Sequence, residues 1–322
     1  MISKLCLLKG FEFMEEKIKL IAITGPTASG KSALAAELAL ILDGEVVSCD
    51  SMQIYRGMNI GTAKPAKEEM RGVPHHMIDV ADPYIDGDYN CARYSEEAGR
   101  VIADIASRGK LPVICGGTGM YLDSLLSGTA FGDAPADADV RKKLWETDPE
   151  LLYKELCSVD PDSAAAIHKN NVKRVIRALE IYRSSGITKT EWDARSKVGG
   201  SPYDFKAIAL GMLDRRILFR RIDERVDKMI NDGLCDEVRS LNLIPGTTAA
   251  AAIGYKEMEA YLRGEISLSD AADQIKLATR HYAKRQESWL RRRDYIKWVI
   301  SCGENVSFEK VVNISLTLLG YR

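Results

Sequence analysis

Several features are scarce in this 322-residue chain, and each scarcity closes off a class of protein. No run of about 18 apolar residues exists, so no segment reads as a membrane-spanning helix. The stretch Leu5-Cys6-Leu7-Leu8 is too short for a secretory core and is followed by Glu12, Glu15 and Glu16. The 7 cysteines (Cys6, Cys49, Cys91, Cys115, Cys157, Cys235 and Cys302) are scattered, with no C-x-x-C pair. That spacing excludes a disulfide framework and fits a reducing cytoplasm. Charge of neither sign dominates: 45 Lys and Arg stand against 46 Asp and Glu, a formal net charge of -1. A general nucleic-acid binder carries a basic excess, so contact with RNA must come from local basic faces. His75 and His76 are adjacent but have no carboxylate or cysteine at ligand spacing, which favours hydrogen bonding within a loop over a metal. Repeats and low-complexity segments are absent. What remains, 46% hydrophobic and 28% charged, is an ordinary globular mixture.

The order of patterns predicts an α/β fold. Lys19 to Thr24 is a short β-branched run that reads as a buried strand, and Lys31 to Leu42 is an Ala/Leu-rich helix. Further strands are predicted over Glu45 to Asp50, Leu111 to Cys115, Phe205 to Met212 and Ile296 to Ile300, with a helix over Tyr94 to Ser107. Alternating strands and helices imply a P-loop NTPase-like parallel sheet flanked by helices, with the site along its carboxyl edge. After Asp133 to Ala138, a loop, helical patterns run to Gly199-Gly200-Ser201-Pro202, which predicts a mainly helical insertion domain. The expected division is an extension over 1–17, a core over 18–124 and 205–300, an insertion over 125–204 and a C-terminal tail over 301–322. Met14 opens the first well-formed segment.

Gly25-Pro26-Thr27-Ala28-Ser29-Gly30-Lys31-Ser32 satisfies G-x-x-x-x-G-K-[ST] and sits between a predicted strand and helix. Its glycines let successive backbone N–H groups converge on phosphate oxygens, and the helix start adds the favourable end of its dipole. Lys31 supplies a cation, and Ser32 can hold Mg²⁺. The plain alternative, a glycine-rich turn that binds nothing, does not account for the flanking strand and helix. The usual partners of an NTPase are missing: there is no N-K-x-D, and no apolar strand ends in Asp-Glu. Asp50, followed by Ser51-Met52-Gln53-Ile54-Tyr55, is the nearest substitute. A P-loop without hydrolytic apparatus implies that the bound phosphates are a leaving group or part of a donor. A P-loop small-molecule kinase and a nucleotide-switched RNA-binding module are the competing readings.

At these residues the chain resembles the tRNA dimethylallyltransferases, the P-loop isopentenyltransferases. The likeness extends over about residues 18 to 298, through Gly25–Ser32, Asp50–Tyr55, Arg56–Pro65, Val73–Asp79, Gly116–Tyr121, Arg174–Glu180, Ile253–Glu257 and Arg280–Gln286 with Trp289. It implies transfer of a dimethylallyl group from its diphosphate to the exocyclic N6 of an adenosine beside the anticodon. It also implies Mg²⁺ and an insertion that clasps the anticodon stem-loop. By the same resemblance Arg215 and Arg221 are candidates for a diphosphate clamp, and Thr27 for a contact with the bridging oxygen. RNA contacts are implied for Asp50, Ser51, Met52, Gln53, Thr118, Arg141, Lys173, Arg174 and Arg177, and for the turn Ile253, Gly254, Tyr255, Lys256 and Glu257. The chain departs from the family at Lys169, where a proline usually follows the histidine. It also carries no C-terminal zinc-finger pattern.

The chemistry suits these residues. Ionisation of an allylic diphosphate needs preorganised positive groups around the departing anion. The amine of adenine is a poor nucleophile, so a carboxylate within reach should take its proton as the C–N bond forms, and Asp50 is the residue placed for that. Coordination of Mg²⁺ through water is the alternative role for Asp50. The target base must be flipped to reach such a pocket. Lys173/Arg177, Arg221/Arg225 and Arg280/Lys284/Arg291 each fall on one helical face, which supports RNA binding. Ile275, Ala278, Tyr282 and Trp289 form a separate apolar stripe that reads as core. The partners expected are therefore tRNA and dimethylallyl diphosphate, bound by a cytoplasmic monomer.

Overall fold

The computed structural model describes residues 17–86, 89–127, 137–196, 200–301 and 306–322. Met14, Cys6, Cys302 and the expected extension up to residue 16 lie outside the described residues, as do Gly199 and all but the end of the Asp133 to Ala138 loop. The described chain runs β1 (Ile18–Thr24), α1 (Lys31–Ile41), β2 (Gly44–Ser48), α2 (Lys67–Met70), β3 (His75–His76), α3 (Cys91–Ser107), β4 (Leu111–Gly116) and α4 (Gly119–Leu126). The insertion follows as α5 (Ala138–Trp145), α6 (Pro149–Val159), α7 (Pro161–Ala166), α8 (Val172–Ser185) and α9 (Lys189–Ser196). The chain then returns through β5 (Tyr203–Gly211), α10 (Arg215–Asn231), α11 (Leu234–Leu241), α12 (Tyr255–Leu262), α13 (Leu268–Leu290), β6 (Ile296–Ile300) and α14 (Phe308–Leu319).

All six strands are parallel, in the order β3-β2-β4-β1-β5-β6. β1 is therefore central, with Thr24 in register with Gly116 on one side and Ala209 on the other. Both faces of the sheet are covered, which is why the strands read as continuous apolar runs. Ile21 and Ile23 face one layer, built with Leu34 and Leu38 of α1 and with Val312 and Leu316 of α14. Leu20 and Ala22 face the other, built with Ile102 and Ile105 of α3 and with residues of α11, α12 and α13. The segment anticipated as a tail thus holds a helix that seals one face of the sheet.

The insertion has its own core of Leu144, Leu152, Leu156, Val175, Ile176 and Leu179. Its first three helices start where short acids accept from first-turn amides: Asp137, Asp148 and Asp160 are the N-caps, the last two followed by Pro149 and Pro161. Two details differ from the sequence pattern. β2 stops at Ser48, because at Asp50 the chain already turns, and His75–His76 is a short edge strand paired with Val46 and Val47, not a loop.

Candidate active site

The glycine-rich turn leaves β1 at Thr24, whose Oγ1 donates to the Gly116 carbonyl at 2.8 Å. Gly25 has φ 148 and no room for a side chain, since a Cβ would stand 2.9 Å from the Leu210 carbonyl. Gly30, at φ 92, takes the left-handed conformation that delivers the chain into α1, so the first amides of that helix open on the turn. Lys31 folds back with Nζ 3.3 Å from the Pro26 carbonyl. Burial pulls the Lys31 pKa down, while the charges of Cys115 and Asp50 oppose the shift. Ser32, exposed in the first turn of α1, lines the same cavity.

Asp50 faces this cradle from beyond the end of β2, across β4 from β1. Its Oδ1 accepts from the backbone of Met52 (2.9 Å) and Gln53 (3.4 Å), which curls Ser51, Met52 and Gln53 into a tight turn. The Ser51 amide donates to Thr118 Oγ1 at 3.1 Å, and the Thr118 amide to the Cys49 carbonyl at 3.2 Å. Gly116 is required here, since a Cβ would meet the Cys49 carbonyl oxygen at 2.0 Å. Gln53 accepts from Ser48 Oγ and donates to the carbonyls of Thr62 and Ala63 at 3.3 and 3.2 Å. Thr27, Lys31, Ser32, Asp50, Gln53 and Arg225 line one cavity of about 70 Å³. It adjoins a groove of about 1230 Å³ that shares Lys31, Ser32, His75 and Arg225 and also holds Arg221.

Arg225 is the side chain that sequence reasoning left out of the site. Its Nη1 donates to Thr27 Oγ1 at 3.2 Å, and burial pulls its pKa down against the charge of Asp50. Arg221, one turn earlier on α10, lines the groove. Arg215, assigned to the clamp by resemblance, is not in this cavity. It lies roughly 120° round the helix from Arg221. There it pairs with Glu287 at 3.3 Å and lines a separate cavity with Pro26 and Trp298. The signal for Arg225 was present in its four-residue spacing from Arg221.

The residues implied for RNA separate into three groups. Ser51, Met52, Gln53 and Thr118 form the turn beside the cavity, and Lys173, Arg174 and Lys284 are exposed on helices. Arg141 and Arg177 converge on the fully buried Glu180, at 3.1 and 2.9 Å, which leaves them half-exposed and fixed in direction. The rest are structural. Tyr255 is fully buried and donates to Glu237 at 2.7 Å, and the buried Glu257 accepts from the Gly254 amide at 2.8 Å. Ile253 packs on the core, so Lys256 alone of that turn is exposed. Arg280 is drawn into the α10–α13 interface by Asp223 and sits over the Phe219 ring. Glu237 itself is a second omission. It accepts from three successive amides, of Asn59 (2.9 Å), Ile60 (2.7 Å) and Gly61 (3.0 Å), and so pins the loop that carries Thr62 and Pro65 into the cavity.

His75 bonds the Val73 carbonyl through Nδ1 at 2.9 Å, and His76 Nε2 meets Glu45 at 2.7 Å. Among the described residues no group of three or more His, Cys, Asp or Glu is placed to hold a metal. Tyr282, read as core, instead lines the cavity, where burial pushes its hydroxyl up to about 12. Gln286 lines it too. Among the described residues no helix is long and apolar enough to cross a membrane.

Comparison with known proteins bears on the same residues. A family model described as IPP transferase matches residues 53–293. The chain is 45% identical over 289 residues to a tRNA dimethylallyltransferase of Thermoanaerobacter sp. (strain X514), covering 87% of this chain and 91% of that one. To the tRNA dimethylallyltransferase of Geobacter metallireducens it is 43% identical over 315 residues, or 95% and 98% of the two chains. The crystal structure of the full-length tRNA isopentenylpyrophosphate transferase from Bacillus halodurans matches with a TM-score of 0.70 at 42% identity, covering 95% of this chain and 98% of that one. A eukaryotic dimethylallyltransferase acting on tRNA matches with a TM-score of 0.81 at 30% identity, over 95% and 80% of the two chains.

Proposed function

The chain belongs to the IPP transferase family, that of the tRNA dimethylallyltransferases, and on that premise we propose the reaction its cavity carries out. A dimethylallyl group passes from dimethylallyl diphosphate to the exocyclic N6 of an adenosine beside the anticodon of tRNA, and diphosphate is released. One observation supports this most: the P-loop Lys31, Arg225 of α10 and the carboxylate of Asp50 beyond β2 line a single cavity.

In the transfer the bond between allyl C1 and the diphosphate oxygen breaks, the N6–C1 bond forms, and one N6 proton leaves. Negative charge grows on the diphosphate beside the P-loop amides and Arg225, which are in place for it, while Lys31 leaves the Pro26 carbonyl to reach it. Thr27, held by Arg225, is the hydroxyl for the bridging oxygen, and Arg221 extends the positive wall along the groove. Asp50 takes the proton. Its Oδ1 is engaged by two backbone amides, which orients the carboxylate and leaves Oδ2 for the amine. Mg²⁺ fits this donor set, because Ser32 offers one hydroxyl beside the space for the diphosphate and the ion favours phosphate and water for the remainder of its shell. When bound it would offset the charge of the leaving group. The flipped adenosine enters beside Ser51, Met52, Gln53 and Thr118, with Arg141, Lys173, Arg174, Arg177 and Lys284 as basic contacts for the stem-loop. The enzyme works as a monomer in the cytoplasm.

Incubation with labelled dimethylallyl diphosphate and unmodified tRNA tests the reading. Label should appear in RNA with one diphosphate released per transfer. Unlabelled RNA, with ATP consumed on a small acceptor, would return the kinase alternative.

A further inference from the structure

Helix α13 applies one face to the turn that ends β4. Tyr282, Gln286 and Trp289, spaced i, i+4 and i+7, meet Thr118, Gly117 and Gly119 respectively. The middle residue reaches further. Gln286 Oε1 accepts from the Thr27 amide at 2.8 Å, and Gln286 Nε2 donates to the Gly117 carbonyl at 3.0 Å. Only 5% of Gln286 is exposed, so losing either bond leaves a group with little water to replace it. The fit is close, since a Cβ on Gly117 would stand 2.2 Å from Gln286 Nε2 and 3.0 Å from the Gly25 carbonyl.

The two ends of this amide belong to opposite sides of the cavity. Thr27 lies in the cradle for the diphosphate and is also held by Arg225. Gly117 precedes Thr118, which holds the Ser51 amide in the Asp50 turn. We propose that Gln286 is a positioning residue for the transfer, fixing Thr27 against the Gly117–Thr118 turn so that donor and acceptor walls keep one separation. The inference rests on the transfer reading above. It explains why an amide stands here: one acceptor and one donor must face two different segments, at Thr27 and Gly117. A glutamate would turn a second acceptor on the Gly117 carbonyl, and a methionine would offer neither group.

The test compares wild type, Gln286→Met and Gln286→Glu in kcat, in KM for dimethylallyl diphosphate and in tRNA affinity, across pH. Loosening a reacting wall by about 1 Å costs on the order of 10- to 100-fold in rate. Gln286→Met should therefore lose that much in kcat with tRNA affinity retained, and its ratio to wild type should not change with pH. Gln286→Glu should recover relative to wild type as pH falls, because the protonated carboxyl again presents a donor to Gly117. A purely structural role would instead lower tRNA affinity together with kcat. Gly117→Ala supplies a second line that does not depend on the fold tolerating the first variants. In the wild-type background it should be severe, and in Gln286→Ala, where the clashing amide is gone, milder. Wild-type kcat in Gln286→Met, or a Gly117→Ala penalty of equal size in both backgrounds, would overturn the proposal. If wild type transfers label and Gln286→Met matches it, this inference alone falls. If wild type transfers none, the reading beneath it falls.

Discussion

Replacing Arg225 by Met separates the two arginine assignments more sharply than any other change. The Arg225 guanidinium is half-buried, and its described hydrogen bond is to the neutral Thr27 hydroxyl; among the described residues no carboxylate forms an ion pair with it. In the absence of substrate such a group costs desolvation energy without full compensation, as expected for a site that waits for an anion. Removing a donor preorganised toward developing charge costs about 2.7–4 kcal/mol, or 10²–10³ in kcat. Because the methionine fills similar space and carries no charge, the melting temperature should stay level or rise. Arg215→Met is the control. Its side chain is 55% exposed and paired with Glu287 at 3.3 Å, an arrangement worth about 0.2–1 kcal/mol, so at most a few-fold in rate. Single-turnover transfer of labelled allyl group at saturating tRNA reads both, with thermal melts alongside. A wild-type rate in Arg225→Met, or a larger loss in Arg215→Met, would refute the reasoning.

Two predictions concern stability. Hydrogen bonds from Arg108, and then from His76, hold the Glu45 carboxyl at about 2 against the cost of burial, below its ordinary 4.5. A folded-state pKa below the unfolded value means stability that is present above about pH 4.5 and lost as pH falls toward 2, and at 1.36 kcal/mol per pH unit it amounts to about 3 kcal/mol. Glu45→Gln should flatten this acid limb in urea unfolding followed from pH 5 to 2, and an unchanged limb would contradict the assignment. Glu237→Ala strips an acceptor from three amides and the Tyr255 hydroxyl, at a cost of about 2–4 kcal/mol. The melting temperature should drop by roughly 3–6 °C, and no drop would show that the 59–61 loop is held by other means.

Local chemistry made much of the architecture legible. The β-branched runs at 19–24 and 111–115, the P-loop glycines and the Ala/Leu pattern of α1 each point to one conformation, and the parallel sheet follows from their alternation. His75–His76 escaped because two residues on a sheet edge have no periodicity to read. The helix Phe308–Leu319 escaped because its apolar face declares itself only against α1 and the sheet. In the site, Asp50, Lys31 and Ser32 were found because strand ends and helix starts fix where their side chains stand. Arg215 and Arg280 pair with acids of another helix for a reason the sequence pattern does not show. A basic residue on a helix has the same pattern whether it faces phosphate or a carboxylate across a helix pair, and Glu287 and Asp223 lie far away in sequence. Gln286 and Glu237 serve backbone amides of distant loops, contacts that leave no mark on spacing or composition.

Asp50→Asn puts the central claim to its most direct measurement, the single-turnover rate of allyl transfer to tRNA alongside separate binding of both substrates. Asparagine can still accept from the Met52 amide, so the turn should persist while the proton acceptor is gone. The account predicts both substrates bound as in wild type and a transfer rate lower by about 10²–10⁴. Transfer at the wild-type rate would contradict it.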